Sequence, residues 1–594
     1  MARISAAHVM MRVLEDWGVG TVFGLPGGSL DSTMAAVHDF RERIHYVGVR
    51  HEEVGALAAV AQSKLTGRIG VTIGSAGPGA VHLLNGLYDA RADNVPVLAL
   101  VGQVPTSLMN TDYFQEMPEN PVFDDVAVYN RTVTSPELLP QVVDTAIRTA
   151  YAKRGVAVVV IPKDLGWAEI EDDYVSSAGA WTQPEWRLEA RSEDVARALE
   201  LITTAERPIL YFGRGAHGAA DLLRELSERL GAPLVSTYLG KTILDDAEPS
   251  YMISTGRVSA KPAVDVGLTA DLIVFIGTNY EFGAHLFSPD ARFIDVNLEP
   301  TVIGARHAVE LGIRADAVVF LEQLLDAVRA AEPPSHAGGP SAAAGARGRW
   351  LAAAREDKRQ WDAWVAERAR DEDLPLRLEA VYAEINQVTE PDAVFGVDVG
   401  NVNISTARFL HLGPGHQMVT SPFYATMGFG LPAGIAAALS YPGRQVWTLS
   451  GDGGMAMVIP DLVTQAEQRL PVINVVFTNR SLGFIEAEQD DTPQPHSGIA
   501  LSDVDFAKVA EGFGVRGHTV VTREELREVL SKVAHTEEPV LIDVKVTDDR
   551  QLPAEQFPLR ASDRADFADF RRRYRAEALE PFADIAARHG VALG

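Results

Sequence analysis

Apolar residues along this chain come in short, nearly unbroken runs, and most of these runs end in a glycine-rich or polar turn. Thr21–Phe23, His45–Val49, Ile69–Ile73, Val95–Val101 and Val156–Ile161 read this way in the first third. Pro208–Phe212, Leu272–Ile276 and Ala291–Val296 follow in the middle, and Ala393–Val397, Val446–Leu449 and Val472–Phe477 in the last third. Runs of this length without polar alternation predict strands covered on both faces, as in parallel sheets. Helical patterns fill the gaps, among them an Ala-rich stretch from Glu52 to about Lys64 and a stretch over Met455–Gln468. Strand, helix and parallel strand then repeat as βαβ units. The predicted fold is α/β, with three doubly wound parallel-sheet domains at 1–185, 190–332 and 350–550. The segment 333–349, PPSHAGGPSAAAGARGR, has linker composition. The tail 551–594 sets Phe567, Phe570, Tyr574 and Leu579 among charges of both signs, so it is expected to pack on the body rather than on a membrane.

At 594 residues the chain exceeds what one core supports. A net charge of −28 argues against a nucleic-acid partner, which calls for a basic surface. With no cysteine, disulfides, thiol nucleophiles and cysteine-bound metals are excluded. The N-terminus carries Arg12, Glu15 and Asp16 where a signal peptide would be apolar, and no apolar stretch reaches the ~20 residues of a membrane span. A cytoplasmic protein is expected.

The chemistry concentrates in Val446–Asn479. Here a strand meets Gly451-Asp452-Gly453-Gly454, a helix follows, and a second strand ends at Asn479. In a parallel sheet both strand ends lie on the carboxyl edge, where open α/β sheets bind ligands. Glycines let a backbone approach a ligand closely. One carboxylate and one amide oxygen suit a hard cation that keeps positions for phosphate oxygens, as Mg²⁺ does. The helix start adds N–H groups for a phosphate. An ordinary βα turn with a capping aspartate would share the GDG but not the matched second strand and Asn479.

Two further features stand out. Glu52 follows a strand in Arg50-His51-Glu52-Glu53; it is either a carboxylate reaching a ligand or a first-turn glutamate favoured by the helix dipole. Gly213-Arg214-Gly215-Ala216-His217-Gly218 matches G-x-G-x-x-G after a strand. The acidic residue that should follow about 20 residues on has no counterpart at a strand end, which argues against a simple NAD site. The loops at Gly277–Tyr280 and Asn297–Pro300 keep the layout of a nucleotide binder.

Longer stretches carry a resemblance. IHYVGVRHEEVGALAA, GSAGPGAVHLLNGLYDAR, YFQEMPENPVFDDVAVYN, LPVINVVFTN and LGFIEAEQDDT are similar to the pyruvate oxidase branch of thiamine diphosphate (ThDP) enzymes, and most similar to its phosphate-dependent, acetyl phosphate-forming members. The resemblance covers nearly the whole chain. It implies a pyrimidine-binding first domain, an FAD-binding central domain and a diphosphate- and Mg²⁺-binding third domain. Glu52 would activate the aminopyrimidine, and Met427 would prop the cofactor in its bent form. Asp452, Asn479 and the carbonyl of Ser481 would hold Mg²⁺. Gly27, Ser75, Gly451, Gly453 and Gly454 would contact ThDP. Phe114, Gln115, Val399, Phe484 and Glu488 would line the substrate pocket. For FAD the implied contacts are Gly213, Gly215, Arg257, Asn279, Glu299 and Asp316, although the usual acidic pair reads Asn297-Leu298-Glu299 here. The implied substrates are pyruvate, phosphate and O₂. The implied assembly is a homotetramer, a dimer of dimers with each ThDP site between subunits. Acetolactate synthase, a quinone-linked pyruvate dehydrogenase and a catalytically silent nucleotide-binding scaffold are the competing readings; intact Glu52, Asp452 and Asn479 argue against the last.

Overall fold

The computed structural model describes residues 3–181, 187–256, 258–280, 286–331, 345–490, 495–548 and 579–593. Within them lie three six-stranded sheets, every strand pairing in parallel. The first comprises β1 (Thr21–Gly24), β2 (His45–Gly48), β3 (Gly70–Gly74), β4 (Val97–Gln103), β5 (Ala127–Thr132) and β6 (Val156–Pro162). Their spatial order is β2-β1-β3-β4-β6-β5. The central sheet comprises β7 (Pro208–Phe212), β8 (Leu234–Thr237), β9 (Tyr251–Thr255), β10 (Leu272–Ile276), β11 (Arg292–Asn297) and β12 (Leu311–Arg314), in the order β9-β8-β7-β10-β11-β12. That is the order of dinucleotide-binding sheets. The third comprises β13 (Val394–Val397), β14 (Gln417–Val419), β15 (Val446–Gly451), β16 (Val472–Thr478), β17 (Arg516–Val520) and β18 (Val540–Lys545), in the order β14-β13-β15-β16-β18-β17. The first and third sheets are therefore wired identically.

Each sheet is buried on both faces, as the unbroken apolar runs require: every residue of β4 and β6 is buried, and so is every residue of β16. Helix α1 (Glu52–Thr66) packs against α2 (Gly430–Ser440), joining the first and third domains. Both helices are rich in Ala and Gly, which lets their backbones come close. Helix α3 (Ala346–Arg368) begins inside the predicted linker and spans two cores. Its Trp350 packs with the central domain, and Trp361 and Trp364 with the third. Of the tail, the short helix Phe582–Arg588 buries Phe582, Ile585 and Ala586 against the same central core.

The helix expected over Met455–Gln468 is two helices. One runs Asp452–Val458 and the other Leu462–Glu467, with a 3₁₀ turn at Ile459–Asp461 between them. Pro460 is the physical reason, since it has no N–H to continue the ladder. The helix also begins earlier than expected, at Asp452 itself, so the glycines form its first turn.

Candidate active site

In a doubly wound sheet the ligand crevice opens where the strand order reverses. For the third sheet that point lies between β13 and β15. The loops after these strands, Asp398–Gly400 and Gly451–Gly454, meet there beside the loop after β16. A cavity of about 440 Å³ opens between them. It is lined by Val399, Met427, Gly451, Asp452, Gly453, Gly454, Asn479, Ser481, Phe484 and Glu488. Ten predicted site residues from four separate loops thus converge on one space.

Asp452 is its centre. Its carboxylate is buried and accepts the N–H of Arg480 (2.7 Å) and of Gly453 (2.9 Å). Burial raises its pKa above the ordinary value, and these backbone donors only partly offset that. Among the described residues no basic side chain pairs with it. A buried carboxylate beside the Asn479 amide is a donor set that a hard cation would complete. The residues present therefore fit Mg²⁺, and the glycine turn fits a diphosphate.

Asp398, which the sequence did not single out, holds this cavity in shape. It is fully buried, and its Oδ1 accepts the N–H of Val399 (2.7 Å), Gly428 (2.8 Å) and Phe429 (3.3 Å). Its other oxygen abuts Gly454, where any Cβ would overlap it. Burial pushes its carboxyl up to about 6. One side chain thus ties together the loops that carry Val399, Met427 and the glycine turn.

The second crevice lies in the central sheet, between β7 and β10. Gly213 and Gly215 pack backbone to backbone against the Gly277 loop: a Cβ on Gly213 would lie 2.7 Å from the Gly277 carbonyl. A cavity of about 650 Å³ opens beside them. Gly215, Asn279, Glu299 and Asp316 line it, with Arg214, and Lys153 and Arg154 arrive from the first domain. Cations that suit phosphates and carboxylates that suit ribose hydroxyls are what an extended dinucleotide needs, so these residues fit FAD. Gly213 supports this cavity without lining it, and Arg257 is outside the described residues. Asp316 also caps the following helix, its Oδ1 accepting from Val318 and Val319 (both 3.0 Å). Asn297, where an acid is usual, donates its amide to the Thr278 carbonyl (2.9 Å) and to Asn279 Oδ1 (3.0 Å). A carboxylate has no proton to make those bonds.

The remaining predicted residues gather on the first sheet and line neither cavity. Glu52 is buried at the first position of α1 and hydrogen-bonds His82 Nδ1 (2.8 Å). The His82 ring stacks on His51, centroids 4.2 Å apart. Glu53 is more than a first-turn glutamate: Asn85 donates to it (2.6 Å) and to Thr426 (2.7 Å), next to Met427. Gly27 presses on Ser75 so closely that a Cβ would overlap the Ser75 hydroxyl. Gln115 sits in the left-handed region (φ 64°), with its carbonyl against Gly77. Phe114 beside it is 76% exposed. His82, Asn85 and Asp398 were missed because their roles come from contacts across elements, for which the spacing carries no signal.

A three-domain α/β protein whose third-sheet cavity fits a cation and a diphosphate, and whose central cavity fits a dinucleotide, has the layout of a cofactor enzyme. Comparison with known proteins defines which kind. Residues 4–126 match the N-terminal TPP binding domain of thiamine pyrophosphate enzymes, 195–324 their central domain, and 398–544 their C-terminal TPP binding domain. The chain is 44% identical to a pyruvate oxidase of Lactiplantibacillus plantarum, over 99% of this chain and 96% of that one. It is 31% identical to an acetolactate synthase large subunit of Parasynechococcus marenigrum, over 91% and 88%. With acetolactate synthase isozyme 1 large subunit of Escherichia coli it shares 28%, over 92% and 94%. The chain belongs to the pyruvate oxidase family of ThDP-dependent enzymes.

Proposed function

We propose that this protein oxidatively decarboxylates pyruvate, converting pyruvate, phosphate, O₂ and a proton to acetyl phosphate, CO₂ and H₂O₂. The observation that carries the reading is the convergence of ten predicted residues on one cavity around the buried Asp452. The full-length similarity to a pyruvate oxidase supports it. ThDP would supply the electron sink for decarboxylation, and FAD the acceptor for the electron pair that O₂ then removes.

In this reading Asp452, Asn479 and Ser481 hold Mg²⁺, and Gly451, Gly453 and Gly454 bring backbone N–H groups to the diphosphate. Met427 props the cofactor, and Val399, Phe484 and Glu488 face the reacting carbon. Glu52 holds the proton that switches the aminopyrimidine between tautomers, and Gly27 and Ser75 shape the site around that ring. Phe114 and Gln115 close the pocket over the substrate. Gly213, Gly215, Asn279, Glu299 and Asp316 hold FAD, with Arg257. Glu52 and Asp452 serve one reaction yet fall in separate clusters of one chain. We therefore infer a dimer in which each site takes Glu52 from one subunit and Asp452 from the other, with two such dimers forming a tetramer. Among the described residues no helix is long and apolar enough to cross a membrane, which accords with a cytoplasmic location.

Acetolactate synthase is the second reading, supported by the 31% and 28% relatives. One assay separates the two. With pyruvate under air, the oxidase reading expects peroxide and CO₂ in equal amounts and acetyl phosphate only when phosphate is present. Acetolactate without peroxide would overturn it. Acetate formed without phosphate and with a quinone as acceptor would point to a quinone-linked dehydrogenase.

A further inference from the structure

The two cavities are not independent. Val258, Asn403, Pro422 and Phe423 line both. The crevice of the central sheet and that of the third therefore adjoin, with these four residues on the border between them. Phe423 is the largest of the four. It sits in the loop between β14 and Met427 and is half-buried.

This loop is held from outside its own domain. Ser421 donates to Asp89 Oδ1 (2.6 Å) and accepts from the N–H of Thr426 (3.1 Å). Lys64 donates to the Thr420 carbonyl (2.9 Å) and pairs with Asp89 (2.6 Å) and Asp93 (2.5 Å). The Lys64 side chain is 4% exposed, and those of both aspartates are fully buried. Desolvating three charges is costly, so a cluster like this specifies geometry more than it adds stability. The same cluster reaches the other cavity. The Asp93 carbonyl accepts from Arg214 (2.8 Å), which lines the central crevice. Both cavities thus bear on one connected network that ends at the loop of Phe423.

We infer that Phe423 is the contact through which occupancy of one cavity is felt in the other, so that the ligands of the two crevices bind cooperatively across its ring. The inference rests on the reading that ThDP and FAD fill the third-sheet and central cavities. A side chain shared by two ligands must be ordered once, by whichever binds first, and the second then binds to a wall already set. Linkage makes the effect reciprocal.

The test is a pair of titrations on the full-length protein. ThDP with Mg²⁺ is titrated into flavin-free and FAD-loaded protein, with tryptophan fluorescence as readout, and flavin emission is followed in the loaded sample. In the parent, FAD should tighten ThDP binding by roughly fivefold or more, and ThDP should change flavin emission. In Phe423→Ala the ratio of the two affinities should fall to near one and the flavin response should vanish. Phe423→Leu keeps most of the apolar volume and should retain flavin while lowering the ratio. A ratio of one in the parent, or an unchanged ratio in both variants, overturns the inference. A protein that takes up no flavin overturns the FAD reading and this inference together, and failure to load any flavin separates that outcome from the others.

Discussion

The first and third sheets are wired identically, yet the loops at their switch points differ: those of the third border a cavity of about 440 Å³, and those of the first press on each other. In the third sheet the loops after β13 and β15 border the cavity around Asp452, and Gly454 leaves room for the Asp398 carboxylate, which a Cβ there would overlap. In the first, the equivalent loops after β1 and β3 close on each other. Gly27 presses on Ser75, and the Ser29 and Ser75 hydroxyls bond at 2.8 Å. What the first sheet offers is a buried glutamate at the start of α1, held by His82. Topology therefore decides where a ligand meets the sheet, and side chains at the strand ends decide what happens there. In the proposed function one copy of the pattern is the cofactor anchor and the other handles the proton.

That division can be broken from either side. The largest effect is expected for Glu52→Gln, which should lower pyruvate-dependent CO₂ release by ~10²–10⁴-fold while ThDP binding by calorimetry stays near the parent value. Unchanged turnover would end the assignment of Glu52. Asp452→Asn should do the opposite, weakening Mg²⁺-dependent ThDP binding on the order of 100-fold. If the two residues act across subunits, co-refolding these inactive variants should restore part of the activity. No recovery in a mixed dimer would place both residues in one chain's site.

Closure of the first switch point gives a smaller effect. Gly27→Ala should cost about 1–3 kcal/mol of stability, because a methyl there overlaps Ser75. Adding Ser75→Gly should recover most of it in thermal melts. If Gly27→Ala alone melts like the parent, the two loops are not in contact.

The smallest effect concerns Asp398. Its folded-state pKa, about 6, lies above the value in an unfolded chain. The folded protein thus holds this proton more tightly, which favours folding below about pH 4, and the advantage is lost as the pH rises through 6. Between pH 5 and pH 7 the loss corresponds to about 1 kcal/mol. Glu119 and Asp357, both pushed up to about 7, titrate nearby, so the difference between two proteins is the measure. Asp398→Asn should lose less melting temperature than the parent between pH 5 and pH 7. Equal slopes would show that Asp398 is ionised throughout.

The amino-acid sequence determined 11 of the 18 strands of the three sheets, and the loops at Gly451–Gly454 and Asn479, because these depend on local order along the chain. Apolar runs give buried parallel strands whatever surrounds them, and Gly451–Gly454 with Asn479 lie at strand ends once those strands exist. Even the error over Met455–Gln468 was local, a proline read through. The tertiary structure decided what depends on distant segments meeting. Asp398 matters because Gly428, Phe429 and Gly454 come to it, and His82 because α1 delivers Glu52 to its ring. Asn297 matters because Thr278 and Asn279 offer its amide acceptors. Phe423 reads as one aromatic in a loop until two cavities form on either side of it. Each of these roles is a contact between residues far apart in the chain, and spacing along a chain carries no record of such contacts.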